Sequence, residues 1–366
     1  MKPVLIGLAL VFLAAMVYLV SWPVAIDPAA WTAPRNPGYV GPFESNTRLA
    51  DLEKLPIGEF HGPEDIAVAE DGRIFAASHE GWIVTLDPDG RNPVGWAETG
   101  GRPLGIDFAP NGDLIVADAF RGLLAIGPDA TVRVLADEAD GVAIRYADDV
   151  DCAEDGRIFF SDASTRFGAL ESGGTMQGSL LDLMEHRPNG RLLVYDPATE
   201  TATTLLAGIS FANGVAVSPD QSFVLVNETG MYRVLKYWLT GPKAGQAEVV
   251  IDELPGFPDN ISTGQDGRFW LALVSPRNRL LDSMSDKPFL RKVVQRLPSM
   301  LRPKAQPYGH VVAIDANGAV LVNLQDPDGG YPINTTAVET GDYLYIGSLV
   351  APEIARLPMA SIESDG

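Results

Sequence analysis

The stretch Asp155-Gly-Arg-Ile-Phe-Phe-Ser-Asp162 joins a tight-turn signal to a run of strand formers, and the chain repeats it. Asp71-Gly-Arg-Ile-Phe-Ala-Ala-Ser78 and Asn111-Gly-Asp-Leu-Ile-Val-Ala-Asp118 come before it. Asp220-Gln-Ser-Phe-Val-Leu-Val-Asn227, Asp266-Gly-Arg-Phe-Trp-Leu-Ala-Leu273 and Asp342-Tyr-Leu-Tyr-Ile-Gly-Ser348 come after it. Asp-Gly and Asn-Gly take the positive backbone angles of a tight hairpin, so each copy reads as the second strand of a hairpin. A short apolar strand precedes each turn, and a third often follows, as in Trp82-Ile-Val-Thr-Leu86 and His310-Val-Val-Ala-Ile314. The turn residues lie 40, 44, 65, 46 and 76 positions apart. A unit of about 40–45 residues with four strands is a propeller blade. The two long spacings therefore hold insertions, near 165–189 and 275–308. Six units predict an all-β, six-bladed β-propeller over 47–366. The last unit is one strand short, and residues near 48–60 are expected to supply that strand and leave no free sheet edge.

Composition narrows the function. The 366 residues carry 27 Lys and Arg against 48 Asp and Glu, a net charge of −21. A nucleic-acid binder needs the opposite balance. One cysteine, Cys152, excludes an intrachain disulfide and a cysteine-based zinc site. Residues 3–26 contain no charged side chain and are long enough to cross a membrane, with Tyr18 and Trp22 where interfacial aromatics belong. Residues 1–26 thus read as one N-terminal transmembrane helix, with a cleaved signal peptide as the rival. Lys2 and the terminal amine place the N-terminus in the cytoplasm under the positive-inside rule. The propeller is then extracytoplasmic: periplasmic, lumenal or extracellular. Residues 27–46, rich in Pro, Gly and Ala, read as a linker.

Seven residues before each turn residue stand Glu64, Leu104, Asp148, Asn213, Asp259 and Thr335. This position opens the innermost strand of each blade, so all six should ring one end of the central channel. Four are oxygen donors. Three converging carboxylates would repel one another without a cation. All-oxygen donors select a hard divalent ion, and a wide site on separate strands suits Ca2+ better than Mg2+. A turn residue in any one blade is unremarkable by itself; four oxygen donors in one register are not.

These residues carry a resemblance. Residues 62–68, 146–162, 211–230 and 254–273 resemble the calcium-dependent six-bladed propellers of the gluconolactonase and senescence-marker-protein family, in particular its strictosidine-synthase-like branch. The resemblance implies a channel calcium on Glu64, Asp148, Asn213 and Asp259, with Asn260 as a further ligand. It also implies hydrolysis of esters or lactones. Two positions depart from the wider group. Thr335 stands where strictosidine synthases place a catalytic glutamate, which argues against amine–aldehyde condensation. Leu104 stands where paraoxonases place a histidine.

Other candidates lie near the channel mouth. His61, three residues before Glu64, is a candidate general base, and Asp162, returning to the same end, a candidate proton acceptor. The nucleophile is a water or the Asp259 carboxylate. Within the second insertion, residues 277–304 hold eight of the 27 basic residues. Their apolar spacing predicts a basic amphipathic helix over about 287–301, suited to anionic lipid or to packing on the propeller rim. Two functions follow. One is a membrane-anchored calcium-dependent hydrolase of small hydrophobic esters or lactones. The other is a non-catalytic, calcium-stabilised propeller that binds a partner protein or lipid.

Overall fold

A computed structural model describes residues 2–363. The amino terminus and the Lys2 side chain, on which the orientation cue depends, lie outside the described part. Six four-stranded antiparallel sheets follow one another around a channel. Their inner strands are Ile66–Val68, Pro103–Phe108, Ala147–Cys152, Ala212–Val217, Gly256–Thr263 and Asn334–Glu339. Blade 6 borrows its outer strand from the start of the propeller: Glu53–Pro56 pairs with Glu353–Pro358, Leu55 opposite Ile354. Arg356 clamps Glu53 across this seam with two bonds of 2.8 and 2.9 Å. The predicted closure is therefore present: the start of the propeller completes its last blade. Leu55 is buried, so Leu55→Ala is expected to cost about 2–4 kcal/mol. The urea midpoint should fall with little change in slope.

Adjacent blades bury apolar faces against each other, as where Phe75 and Ile83 of blade 1 meet Ile106, Val116 and Leu124 of blade 2. The inner strands of adjacent blades share no backbone ladder, so their peptide groups need other partners. Side chains supply them at every junction. Asp65 accepts from the Ile106 amide (2.8 Å), Asp107 from Cys152 (2.9 Å) and Asp149 from Val215 (2.8 Å). Asn227 donates to the Asp259 carbonyl, Ser262 to that of Ala337 (2.6 Å) and Thr335 to that of Glu64 (2.5 Å). Thr335 thus closes blade 6 onto blade 1 through its hydroxyl.

Both insertions rise on the face where the inner strands begin. The first carries helix Thr175–Glu185 and the second carries Arg279–Ser283 and Pro288–Gln295. The helix predicted over 287–301 is only eight residues long. Pro298, with no amide hydrogen, prevents its continuation. Residues 27–46 do not hang free. Asp27 accepts from Lys292 (2.9 Å) and Arg187 (2.7 Å), Trp31 stacks on His186 at 3.7 Å, and Arg277 donates to the Pro34 and Arg35 carbonyls. Arg291, fully buried, donates to the carbonyls of Met184, Ser285 and Ala29. One guanidinium thereby ties both insertions to the N-terminal strap, and it caps the C-terminus of helix Thr175–Glu185, where a cation is favoured.

Helix Lys2–Ser21 is 20 residues long, about 30 Å at 1.5 Å per residue. No residue of its apolar window is buried in the rest of the chain. It meets the length and composition of a membrane span, which an anchor and a signal sequence share.

Candidate metal centre

The four oxygen-bearing positions converge as the register required. Glu64, Asp148, Asn213 and Asp259 are all buried and all line one cavity. Asn213 donates to Asp259 at 2.6 Å, and Asn260 to Glu64 at 3.2 Å. Both contacts span blades: 213 with 259, and 260 with 64. Among the described residues, no group of three His, Cys, Asp or Glu side chains stands at metal-ligating spacing. Two of the five candidate donors are amides, and both lean on carboxylates through their nitrogens.

The fit to a cation rests on the oxygens left over. Glu64 Oε2, Asp148 Oδ2, Asn213 Oδ1 and Asn260 Oδ1 are buried and accept no hydrogen bond. Buried acceptors rarely go unpaired, because each lost partner costs about 1–3 kcal/mol. Four at one channel end form a donor set of hard oxygens with no sulfur or imidazole, the chemistry of calcium or magnesium. The electrostatics agree. Burial, then Asp259 and Asp148, pushes the Glu64 carboxyl well above its usual range. Burial and then Asp259 do the same to Asp148. Burial lifts Asp259 to about 7 against the bond from Asn213.

Local structure explains the aim of these side chains. Asp118, Asp162 and Glu228 occupy equivalent places at the ends of second strands. Asp118 accepts from the Arg102 amide (3.0 Å), Asp162 from Tyr146 (3.0 Å) and Glu228 from Ser210 (2.8 Å). Each fixes the turn that delivers its blade's channel residue. Asp162 also takes Arg191 at 2.6 Å. Its oxygens are thus committed away from the cavity, and the proposed proton acceptor is a positioning residue. His61 is half-exposed, bonded through Nδ1 to Glu80 and 4.9 Å from the His79 ring. It does not line the cavity. Gly62 has φ +62°, and a Cβ there would lie 2.7 Å from the Leu349 carbonyl, so only glycine allows this approach to Glu64.

Above the oxygens lies a collar that the sequence reading missed. Two residues before each channel position stand Tyr146, Phe211, Phe257 and Ile333, and all four line the cavity. The same register count, extended by two, finds them. Phe211 and Ile333 hold φ near +60°, a strained setting for large side chains. Arg102 belongs to this position in blade 2. Its buried guanidinium shares the electrostatic field of Glu64 and offsets part of the negative charge. The cavity encloses about 780 Å³. Leu180, Leu183 and Met184 of the first insertion, and Leu281 and Val294 of the second, form its upper wall. The site is a polar floor under an apolar vault.

Known proteins agree with this architecture. A strictosidine synthase profile matches residues 148–242, and a strictosidine synthase-like N-terminal profile matches 41–86. The adipocyte plasma membrane-associated protein of Rattus norvegicus is 34% identical over 98% of both chains. The strictosidine synthase-like 6 protein of Arabidopsis thaliana is 35% identical over 87% of this chain and 85% of its own. A gluconolactonase structure from Xanthomonas campestris superposes with a TM-score of 0.61 at 16% identity, covering 85% of this chain and 91% of its own. Regucalcin from Agrobacterium tumefaciens, described as a calcium-binding protein, gives 0.56 at 14%, covering 81% and 93%. These two likenesses establish the six-bladed fold. The identities and coverage place this chain in the strictosidine synthase-like family, alongside the adipocyte plasma membrane-associated proteins.

Proposed function

We propose that the protein is a membrane-anchored, calcium-dependent hydrolase of apolar esters or lactones. The observation that carries this reading is the set of unpartnered buried oxygens of Glu64, Asp148 and Asn213 at the floor of an apolar cavity, with that of Asn260, which bonds Glu64, beside them. Glu64, Asp148, Asn213 and Asp259 would hold the cation, with Asn260 beside them. When bound, the ion supplies Lewis acidity toward a carbonyl oxygen. The chain's own residues do the rest. Tyr146, Phe211 and Phe257 orient an apolar acyl or aryl body over the floor. The two insertions keep bulk water from it, which strengthens electrostatic interactions within. The Asp259 carboxylate is the group placed to take a proton or to act as nucleophile, because the amide of Asn213 holds one of its oxygens.

Helix Lys2–Ser21 anchors the chain, with the N-terminus cytoplasmic and the propeller extracytoplasmic. The names of the relatives support a plasma-membrane setting and those of the structural neighbours a lactonase-like, metal-binding one. The competing reading is a calcium-stabilised scaffold for a partner protein or lipid. It is favoured by the absence of histidine among the described cavity-lining residues. A screen of the full-length protein against aryl esters and lactones, with calcium titrated, tests the proposal. Calcium-dependent turnover supports it, and no turnover at any calcium level refutes it.

A further inference from the structure

We infer that the face bearing the cavity mouth rests on an anionic lipid leaflet, the same leaflet that receives the N-terminal helix. Helix Pro288–Gln295 is inverted relative to a helix packed in water. Arg291 is fully buried and Arg296 only 8% exposed, whereas Phe289 is 53% exposed and Leu290 43%. A surface helix on a soluble domain turns its charges outward and its apolar stripe inward. Here backbone carbonyls absorb the arginines; Val294 packs inward against the core, and Phe289 and Leu290 at the start of the helix are left facing out. Met300 and Leu301, exposed by 75% and 62%, add to these.

The occupant follows from what adjoins the patch. Arg296 donates to the Trp22 carbonyl at 2.5 Å and to that of Leu19 at 2.8 Å. The end of the apolar helix is therefore bonded directly to this insertion, and both carry exposed apolar side chains, Val20 and Trp22 on the one, Phe289 and Met300 on the other. A bilayer that takes up the helix must come to the level of Trp22, and so to Phe289 and Met300. Charge points the same way. Of the eight basic side chains over 277–304, Arg277, Arg291 and Arg296 are buried, while Arg279, Lys287, Lys292, Arg302 and Lys304 stay partly or fully exposed against Asp282 and Asp286, in a chain of net charge −21. Such a basic, apolar surface is attracted to anionic headgroups and inserts to their depth. The cavity mouth shares this face, since Val294, Arg302 and Lys304 line it. A lipophilic substrate would then enter from the leaflet without crossing water. That last consequence rests on the hydrolase reading; the docking does not.

The test uses the full chain in nanodiscs of phosphatidylcholine with or without phosphatidylglycerol. In a Cys152→Ser background, a fluorophore is attached through Phe289→Cys, Met300→Cys or, on an outer blade strand as control, Leu321→Cys. Nitroxides on lipid acyl chains should quench the first two and spare the third, and aqueous iodide should do the reverse. Phosphatidylglycerol should deepen the lipid quenching. Hydrogen exchange on the unsubstituted chain reads the same surface without relying on any variant: amides 288–301 should exchange more slowly in the anionic discs than in the neutral ones. Equal iodide access at all three sites, or exchange indifferent to lipid charge, overturns the proposal. It would leave the patch to a protein partner. Loss of lipid quenching at Met300→Cys when Phe289→Glu is added would support it. Lipid quenching in a protein that turns over no ester or lactone would refute only the hydrolase reading.

Discussion

Stripping divalent cations is expected to lower the melting temperature more and more as pH rises from about 4 through about 7, while the calcium-loaded protein holds steady. The sign follows from the direction of the shifts. Glu64, Asp148 and Asp259 bind protons more tightly in the folded chain than in the unfolded one. An acid with a raised folded-state pKa stabilises the fold below its unfolded value, and that contribution is lost as pH climbs through the folded value. For Asp259 the window runs from 3.8 to about 7. At 1.36 kcal/mol per unit, this is on the order of 4 kcal/mol from that group alone. In a chain of this size, that corresponds to roughly 5 °C, and Glu64 and Asp148, raised in the same direction, add to it. A bound cation replaces the protons and removes the dependence. Thermal unfolding over a pH series, with chelator or with calcium, reads this directly. A pH-independent difference would place the cation elsewhere.

Asp259→Asn should abolish turnover without harming the fold. The amide keeps the shape and can still meet Asn213, but it removes one charge from the donor set and the group placed for proton transfer. A loss of about 100-fold or more in kcat is expected, the scale of deleting one electrostatic contributor at a reacting centre. The cation-stripped variant should melt higher than cation-stripped wild type at neutral pH, because Glu64 and Asp148 lose a repulsive neighbour. Activity and stability thus move in opposite directions, as they do where a site is built at the expense of the fold. A scaffold would behave differently: there would be no turnover to lose, and only the melting temperatures would move.

Much of this was legible in the sequence because the propeller repeats itself. Six hairpin turns fixed the blade count, and one step back in register found Glu64, Asp148, Asn213 and Asp259 together. Closure by residues 53–56 followed from a unit one strand short. What escaped had no local signature. Asp162 looked free, because its partner Arg191 lies 29 positions away. The segment 287–301 read as one basic amphipathic helix, for anionic lipid or for the propeller rim, because nothing nearby in sequence announces that carbonyls of Ala29, Met184 and Ser285 will enclose Arg291. The strap over 27–46 reads as a linker by its prolines and glycines, and only its contacts with the insertions show otherwise. The collar of Tyr146, Phe211, Phe257 and Ile333 was within reach of the same counting that found the oxygens.

Calorimetric titration of cation-stripped, full-length protein with calcium bears most directly on the centre. The account predicts a single equivalent bound with release of protons at neutral pH, and no such binding when Asp148→Asn and Asp259→Asn are combined. Binding that survives both substitutions, or none in the wild type, would contradict it.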